Sequence, residues 1–198
     1  MANLITLLRT LLAFLVAAML HVPRREIYVA AIVLTLLLIW MDALDGWVAR
    51  RLGESSKFGA VVDVLGDRVV EMTYWIVFVA LGWLPVWVAL VVAARGILVD
   101  GLRSLALERG LTAFGATSMM RTRIGKLLVA SRTSRALYGV GKALAFSLLI
   151  LLFTPGIRGY VGNFLPVLAL VVYTVTYATI ALCVVRGVPV LVEARRFI

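Results

Sequence analysis

Apolar stretches occupy residues 4–20, 27–47, 60–81, 83–105, 137–153 and 160–185 of the chain. Each approaches the roughly 20 residues that a helix needs to cross a hydrocarbon core. A segment surrounded by lipid must satisfy its own backbone hydrogen bonds, and the helix is the form in which a single segment does so. The expected architecture is therefore an all-α integral membrane protein of six transmembrane helices, with the short first stretch lying partly along the interface. Gly82, Trp83 and Pro85 separate the third stretch from the fourth and read as a tight turn. Charged residues make up 15% of the chain and hydrophobic ones 63%, which leaves too little polar material to cover a water-soluble surface. No internal repeat or low-complexity tract stands out, so residues 1–198 read as one membrane domain.

The balance of charge points to lipid. Lys and Arg number 20 against 10 Asp and Glu, net +10, a bias that in a soluble protein would suggest nucleic acid. Here the basic residues gather between apolar stretches, where anionic headgroups account for them and no nucleic-acid partner is expected. They also fall unevenly. Arg9, Arg50, Arg51, Lys57, Arg103, the basic residues of the 106–135 segment, Arg186, Arg195 and Arg196 share one side, with only Arg24, Arg25 and Arg158 on the other. The positive-inside rule then puts both termini and the long 106–135 segment in the cytoplasm. Ala17, Ala18 and Met19 imitate a cleavage site, but Asn3, Thr6 and Arg9 read as part of the mature chain. Cys183 reads as a small buried hydrophobe, and His21 as a solvated residue at a helix end.

Chemistry concentrates between Trp40 and Glu71, where four acids stand at Asp42, Asp45, Asp63 and Asp67. An acid near the bilayer centre costs roughly 2.5–3.5 kcal/mol on insertion scales, so four of them in two consecutive apolar helices call for a function. Asp42 and Asp45 are three residues apart, and Asp63 and Asp67 four, so each pair shares one helix face. A short loop at residues 53–56 would bring the pairs together. Clustered carboxylates repel unless cations intervene, and an oxygen-only set with no His or Cys favours Mg2+, Mn2+ or Ca2+ over zinc. Gly46 and Ala49 leave room for a ligand against the backbone, Arg50 offers a bidentate phosphate contact, and Gly59 puts another small residue one turn before Asp63. Together these residues describe a diphosphate–metal site. The plainer alternative is an intramembrane salt-bridge cluster of the acids with Arg50, Arg51 and Arg68.

The same residues resemble the CDP-alcohol phosphotransferase (CDP-alcohol phosphatidyltransferase) family. Its pattern is D-x2-D-G-x2-A-R, eight or more residues, then G-x3-D-x3-D, and Asp42, Asp45, Gly46, Ala49, Arg50, Gly59, Asp63 and Asp67 match it in full. The resemblance implies a six-helix fold, commonly a homodimer, with its site opening to the cytoplasmic face of a bacterial or archaeal cell membrane. It implies that an acceptor hydroxyl attacks the β-phosphorus of a CDP-linked lipid and that CMP leaves. By carry-over, Asp42, Asp45 and Asp63 hold two divalent ions, Mg2+ or Mn2+, and Asp67 is the general base and a further metal ligand. Gly46 and Ala49 would admit the cytidine and Arg50 its phosphates, with Asn3, Thr6 and Gly59 also assigned to the CDP-lipid.

Further pieces are similar to the phosphatidylglycerophosphate synthase branch: Asn3-x2-Thr6-x2-Arg9, Arg50-Arg51 followed by Lys57-Phe58-Gly59-Ala60, and Arg95 followed by Leu102-Arg103 and Glu108-x-Gly110. That branch implies sn-glycerol 3-phosphate as acceptor. Arg95, Val99 and Arg103 are four apart in turn, a stripe that would aim two guanidinia at an acceptor phosphate; the alternative is two snorkelling arginines. Lys126, Arg135 and Lys142 are the other candidates for that phosphate. The branch's G-K-x-K-T is met only as Gly125-Lys126, with Gly141-Lys142 a rival alignment, and Arg132-x2-Arg135 echoes the inositol-phosphate branch. Inositol phosphate is therefore the alternative acceptor. A catalytically silent lipid-binding protein would usually have lost a metal carboxylate, and a transporter would show an inverted repeat and broken helices.

Overall fold

The structure, a computed structural model, describes residues 2–52, 57–108, 110–111 and 118–195, and of these the backbone alone at 2–3, 42–52, 57–58 and 60. Its regular elements are all helical, as the apolar stretches imply: α1 (Ala2–Met19), α2 (Arg25–Leu52), α3 (Lys57–Ala80), α4 (Val86–Glu108), a short α5 (Arg123–Gly125), a π-helical turn (Lys126–Ala130), α6 (Arg132–Leu152), α7 (Ile157–Val161), a 3-10 turn (Gly162–Phe164) and α8 (Leu165–Ala194). Among the described residues, two helical stretches, Arg132–Leu152 and Ile157–Ala194, are long and apolar enough by themselves to cross a membrane, and Leu4–Met19 is a shorter apolar helix. α2, α3 and α4 have the length, at 28, 24 and 23 residues, but carry most of the charges singled out above.

α1 shows why such a chain belongs in lipid. Its buried face is Thr6, Arg9, Ala13 and Val16, continued by Leu20 just beyond the helix, at spacings of three and four residues, while Leu4, Leu7, Leu8, Leu11, Phe14 and Leu15 point outward. A helix that buries an arginine and a threonine and exposes six large apolar side chains is arranged for an apolar surround. The chain is membrane-associated.

Contacts divide the chain into two compact units, residues 1–85 with 143–173, and residues 86–142 with 174–198. In the first unit α1 packs on both α2 and α3. Gly66 of α3 makes that approach possible, because a Cβ there would run into the Thr6 methyl group. α2 and α3 also meet where Thr35 and Tyr74 share a hydrogen bond of 2.8 Å, both side chains buried. An aromatic core ties α3 and the turn after it to the C-terminal part of α6 and the residue beyond, with Tyr74 stacked on Phe146 at 4.6 Å and Trp83 on Phe153 at 4.5 Å. α3 ends at the expected turn. Gly82 adopts φ +73, its N–H bonds Val79 O and that of Trp83 bonds Phe78 O, both at 2.9 Å. Trp83 also stacks on Phe78, the apolar contact that usually accompanies this C-terminal cap.

The second unit closes around Val99 and Ala106 of α4, Met119 and Met120, Val129 of the π-helical turn, and Val190 and Ala194 of α8. α4 ends in the same kind of cap, with Gly110 at φ +73 and the Leu111 N–H bonded to Ala106 O at 2.9 Å.

Candidate functional site

In the first unit, Asp63 and Asp67 lie one turn apart on α3 with side chains 51% and 44% exposed, and both face Arg9 of α1. Arg9 donates through Nη2 to Asp67 Oδ1 at 2.8 Å and brings Nη1 to 4.0 Å from Asp63 Oδ1. The guanidinium is buried, 5% exposed, while the carboxylates open outward. Thr6, one turn before Arg9, is buried against Gly66, and Gly59, one turn before Asp63, is half-buried. The side chains of Asn3, Asp42, Asp45, Gly46, Ala49 and Arg50 and the 53–56 loop lie outside the described residues. The backbone of α2 is helical through Leu52, so all five of its motif positions stand on that helix.

In the second unit a separate set of cations surrounds Tyr138 of α6, which is 7% exposed. Lys142 Nζ stands 4.9 Å from the Tyr138 ring centroid, and Arg186 Cζ of α8 stands 5.3 Å from it. Arg95 and Arg135 lie within electrostatic reach of Arg186. Arg95 donates through Nε to Cys183 O at 3.1 Å, its stem lying over Gly187, where a Cβ would come within 2.9 Å of it. Arg186 donates through Nε to Leu128 O at 3.2 Å, which ties the π-helical turn carrying Lys126 to the same group. Arg103, two turns along α4 from Arg95, stands 3.8 Å from Asp100 on its own helix. Three of the five residues expected at an acceptor phosphate, Arg95, Arg135 and Lys142, thus gather near Arg186, and Lys126 stands two residues from the Leu128 carbonyl that Arg186 holds.

A family model described as CDP-alcohol phosphatidyltransferase matches residues 1–188. The chain belongs to this family. Among CDP-alcohol phosphatidyltransferases, a CDP-diacylglycerol–glycerol-3-phosphate 3-phosphatidyltransferase of Treponema pallidum is 33% identical over 116 residues, 59% of this chain and 51% of that protein. One of the same name from Pseudomonas fluorescens is 34% identical over 113 residues, 56% of this chain and 57% of its own length. A Mycobacterium tuberculosis protein provisionally named cardiolipin synthase is 40% identical over 76 residues, 38% of this chain and 36% of that protein. The chain thus aligns with little more than half the length of these relatives, or less.

The family uses divalent metals, and the described half of the donor set fits such an ion. Asp63 and Asp67 supply half-exposed carboxylate oxygens one turn apart, a donor type that suits a hard cation keeping water or phosphate in its remaining positions. Among the described residues no three His, Cys, Asp or Glu form a group; Asp42 and Asp45 lie outside them. Three charged side chains that the structure buries, Arg9, Arg186 and Glu193, are given no site role by the sequence. Arg9 stands out as a charge within an apolar run, a signal of function in a membrane helix, whereas Arg186 lies just past the last apolar stretch and reads as one of the basic residues of the cytoplasmic side. Glu193 gives no such signal, because it lies beyond the last apolar stretch and close to Arg195 and Arg196.

Proposed function

We propose that this CDP-alcohol phosphatidyltransferase moves the phosphatidyl group of a CDP-activated lipid to a hydroxyl of sn-glycerol 3-phosphate and releases CMP. The observation that carries this reading is the edge of α3, where Asp63 and Asp67 share one face beside Arg9 inside a fully matched eight-position motif. Helical register supports closure of the four-aspartate set. Thr35 meets Tyr74, and positions 42 and 67 each lie seven residues, two turns, from that contact toward the end where α2 and α3 are joined. The names of the Treponema and Pseudomonas relatives support the acceptor.

In this reading the acceptor oxygen forms a new bond to the β-phosphorus, the bond from that phosphorus to the CMP oxygen breaks, and the hydroxyl proton passes to Asp67. Arg9 fixes the rotamer of Asp67 so that the carboxylate is aimed before substrate arrives. Asp42, Asp45 and Asp63, with Asp67, would hold two Mg2+ or Mn2+ ions, which when bound offset charge on the diphosphate. Arg50 takes the cytidine-side phosphates in the space left by Gly46 and Ala49, with Asn3, Thr6 and Gly59 lining the CDP-lipid. Arg95, Arg103, Lys126, Arg135, Lys142 and the newly found Arg186 bind the acceptor's phosphate, a dianion that several cations are needed to hold. Six crossings are supported by the apolar stretches and cytoplasmic termini by the distribution of basic residues, and the family resemblance supports a cytoplasmic-facing site and a homodimer.

An acceptor panel tests the assignment. Purified protein with CDP-diacylglycerol and Mg2+ should release CMP with sn-glycerol 3-phosphate, and far less with inositol phosphate or phosphatidylglycerol. Release with inositol phosphate alone would move the chain to that branch. Release with phosphatidylglycerol alone would favour the cardiolipin synthase name.

A further inference from the structure

One buried acid has no part in the transfer chemistry described above. Glu193 is 3% exposed and lies in the last turn of α8, where the helix's own carbonyls disfavour an anion. A buried carboxylate persists only when donors compensate its lost hydration. Here they come from one short segment. Glu193 Oε2 accepts from the Arg121 N–H at 2.6 Å, and Oε1 accepts from the Thr122 N–H at 3.4 Å and from the Thr122 hydroxyl. That hydroxyl in turn accepts from the Gly125 N–H at 3.0 Å and so caps the turn of α5. Only glycine fits at 125, because a Cβ would strike the Glu193 carboxylate and come within 2.9 Å of Thr122 Oγ1 and 3.1 Å of Met120 Sδ.

This stapled turn runs straight into the π-helical turn, whose first residue is Lys126 with an exposed side chain. The far side of that turn is held as well, since the Ser134 hydroxyl donates to Leu128 O at 2.6 Å and Arg186 donates to the same oxygen. A π-helical turn is rare and recurs at functional sites; here its Leu128 carbonyl takes two side-chain bonds, and the segment that leads into it is stapled by Glu193. We infer that Glu193 is a positioning residue for acceptor recognition: it clamps the main chain at Arg121 and Thr122 so that Lys126 is presented to the phosphate of the acceptor. This inference rests on the proposed assignment of Lys126 to that phosphate and adds the device that holds it.

The test uses the full-length protein with Mg2+ and separate KM measurements for sn-glycerol 3-phosphate and CDP-diacylglycerol. Thr122→Val removes the bridging hydroxyl at nearly constant shape, Thr122→Ser keeps it, and Glu193→Gln removes the charge. Thr122→Val and Glu193→Gln should each raise the acceptor KM about tenfold, the scale of one lost charge-assisted bond, and move the CDP-lipid KM by less than about twofold. Thr122→Ser should stay close to wild type, and Glu193→Gln should add little in a Lys126→Ala background. The clamp is overturned if Lys126→Ala raises the acceptor KM and the clamp variants do not. It is overturned equally if both KM values and kcat worsen together, or if Glu193→Gln and Lys126→Ala act additively. If Lys126→Ala itself leaves the acceptor KM unchanged, the assignment of Lys126 fails and the inference with it. Should Glu193→Gln not be recovered folded, the Thr122→Val and Thr122→Ser pair decides.

Discussion

At Asp67 two demands meet on one carboxylate. Arg9 donates to Oδ1 at 2.8 Å, and the proposed chemistry needs the same group to accept a proton from the acceptor hydroxyl. Asp67→Asn keeps the size and one oxygen but cannot take the proton. CDP-lipid should still bind, while transfer falls by about a hundredfold or more, the usual contribution of a general base; turnover like wild type across pH would exclude the role. Asp63→Ala should instead abolish metal-dependent turnover while the protein still inserts, and near-normal activity in Mg2+ would remove Asp63 from the ligands. The sequence marks both acids, because spacing along one helix is legible, and groups Arg9 with Asn3 and Thr6 through the branch resemblance. The pairing of Arg9 with Asp67 was not legible. The two are 58 residues apart and meet only because α1 packs on α3, an approach that depends on Gly66. Arg186 was missed for the same reason: its partners Leu128, Tyr138 and Arg95 belong to three different elements.

The long helices cover most of each apolar stretch and overrun several of them, α6 beginning at Arg132 and α8 continuing through Pro189 to Ala194. α2 runs on to Leu52 and so carries Arg50 and Arg51 beyond the expected apolar end at residue 47. The sixth stretch divides in the opposite sense: residues 157–164 form α7 and the 3-10 turn, and α8 begins only at Leu165. The short α5 and the π-helical turn could not be read from pattern, because eight residues hold too few periods and their shape is imposed by Glu193 and Arg186. Gly110, grouped with Glu108 as a branch signature, has a local explanation as the positive-φ cap of α4. The α1–α3 contact gives the clearest test at this scale. Gly66→Ala should destabilise the folded protein by about 1–3 kcal/mol through overpacking, read as a lower unfolding temperature in detergent. Thr6→Ser deletes the methyl group that the new Cβ would meet, leaving the next Thr6 atom at 3.7 Å, so the double variant should recover most of the loss. Equal stability of Gly66→Ala and wild type would mean the helices are not so close.

For the whole molecule, the all-helical class, membrane association and family were legible from apolar periodicity and one dense motif, which act over short stretches of chain. The number of crossings and their direction depend on how charged helices such as α2 and α4 partition into lipid. Tags near both ends of the chain should report the cytoplasmic side and a label near Arg24 the opposite side; ends on opposite sides would mean an odd number of crossings. The central claim is that a lipid phosphate is transferred to an acceptor hydroxyl and not hydrolysed. It is tested most directly by supplying sn-glycerol 3-phosphate whose attacking hydroxyl carries a heavy oxygen isotope, with CDP-diacylglycerol and Mg2+, and finding that oxygen by mass spectrometry. The account predicts the heavy oxygen in the lipid product and none in the released CMP. Heavy oxygen in CMP, or CMP released without a labelled lipid, would contradict it.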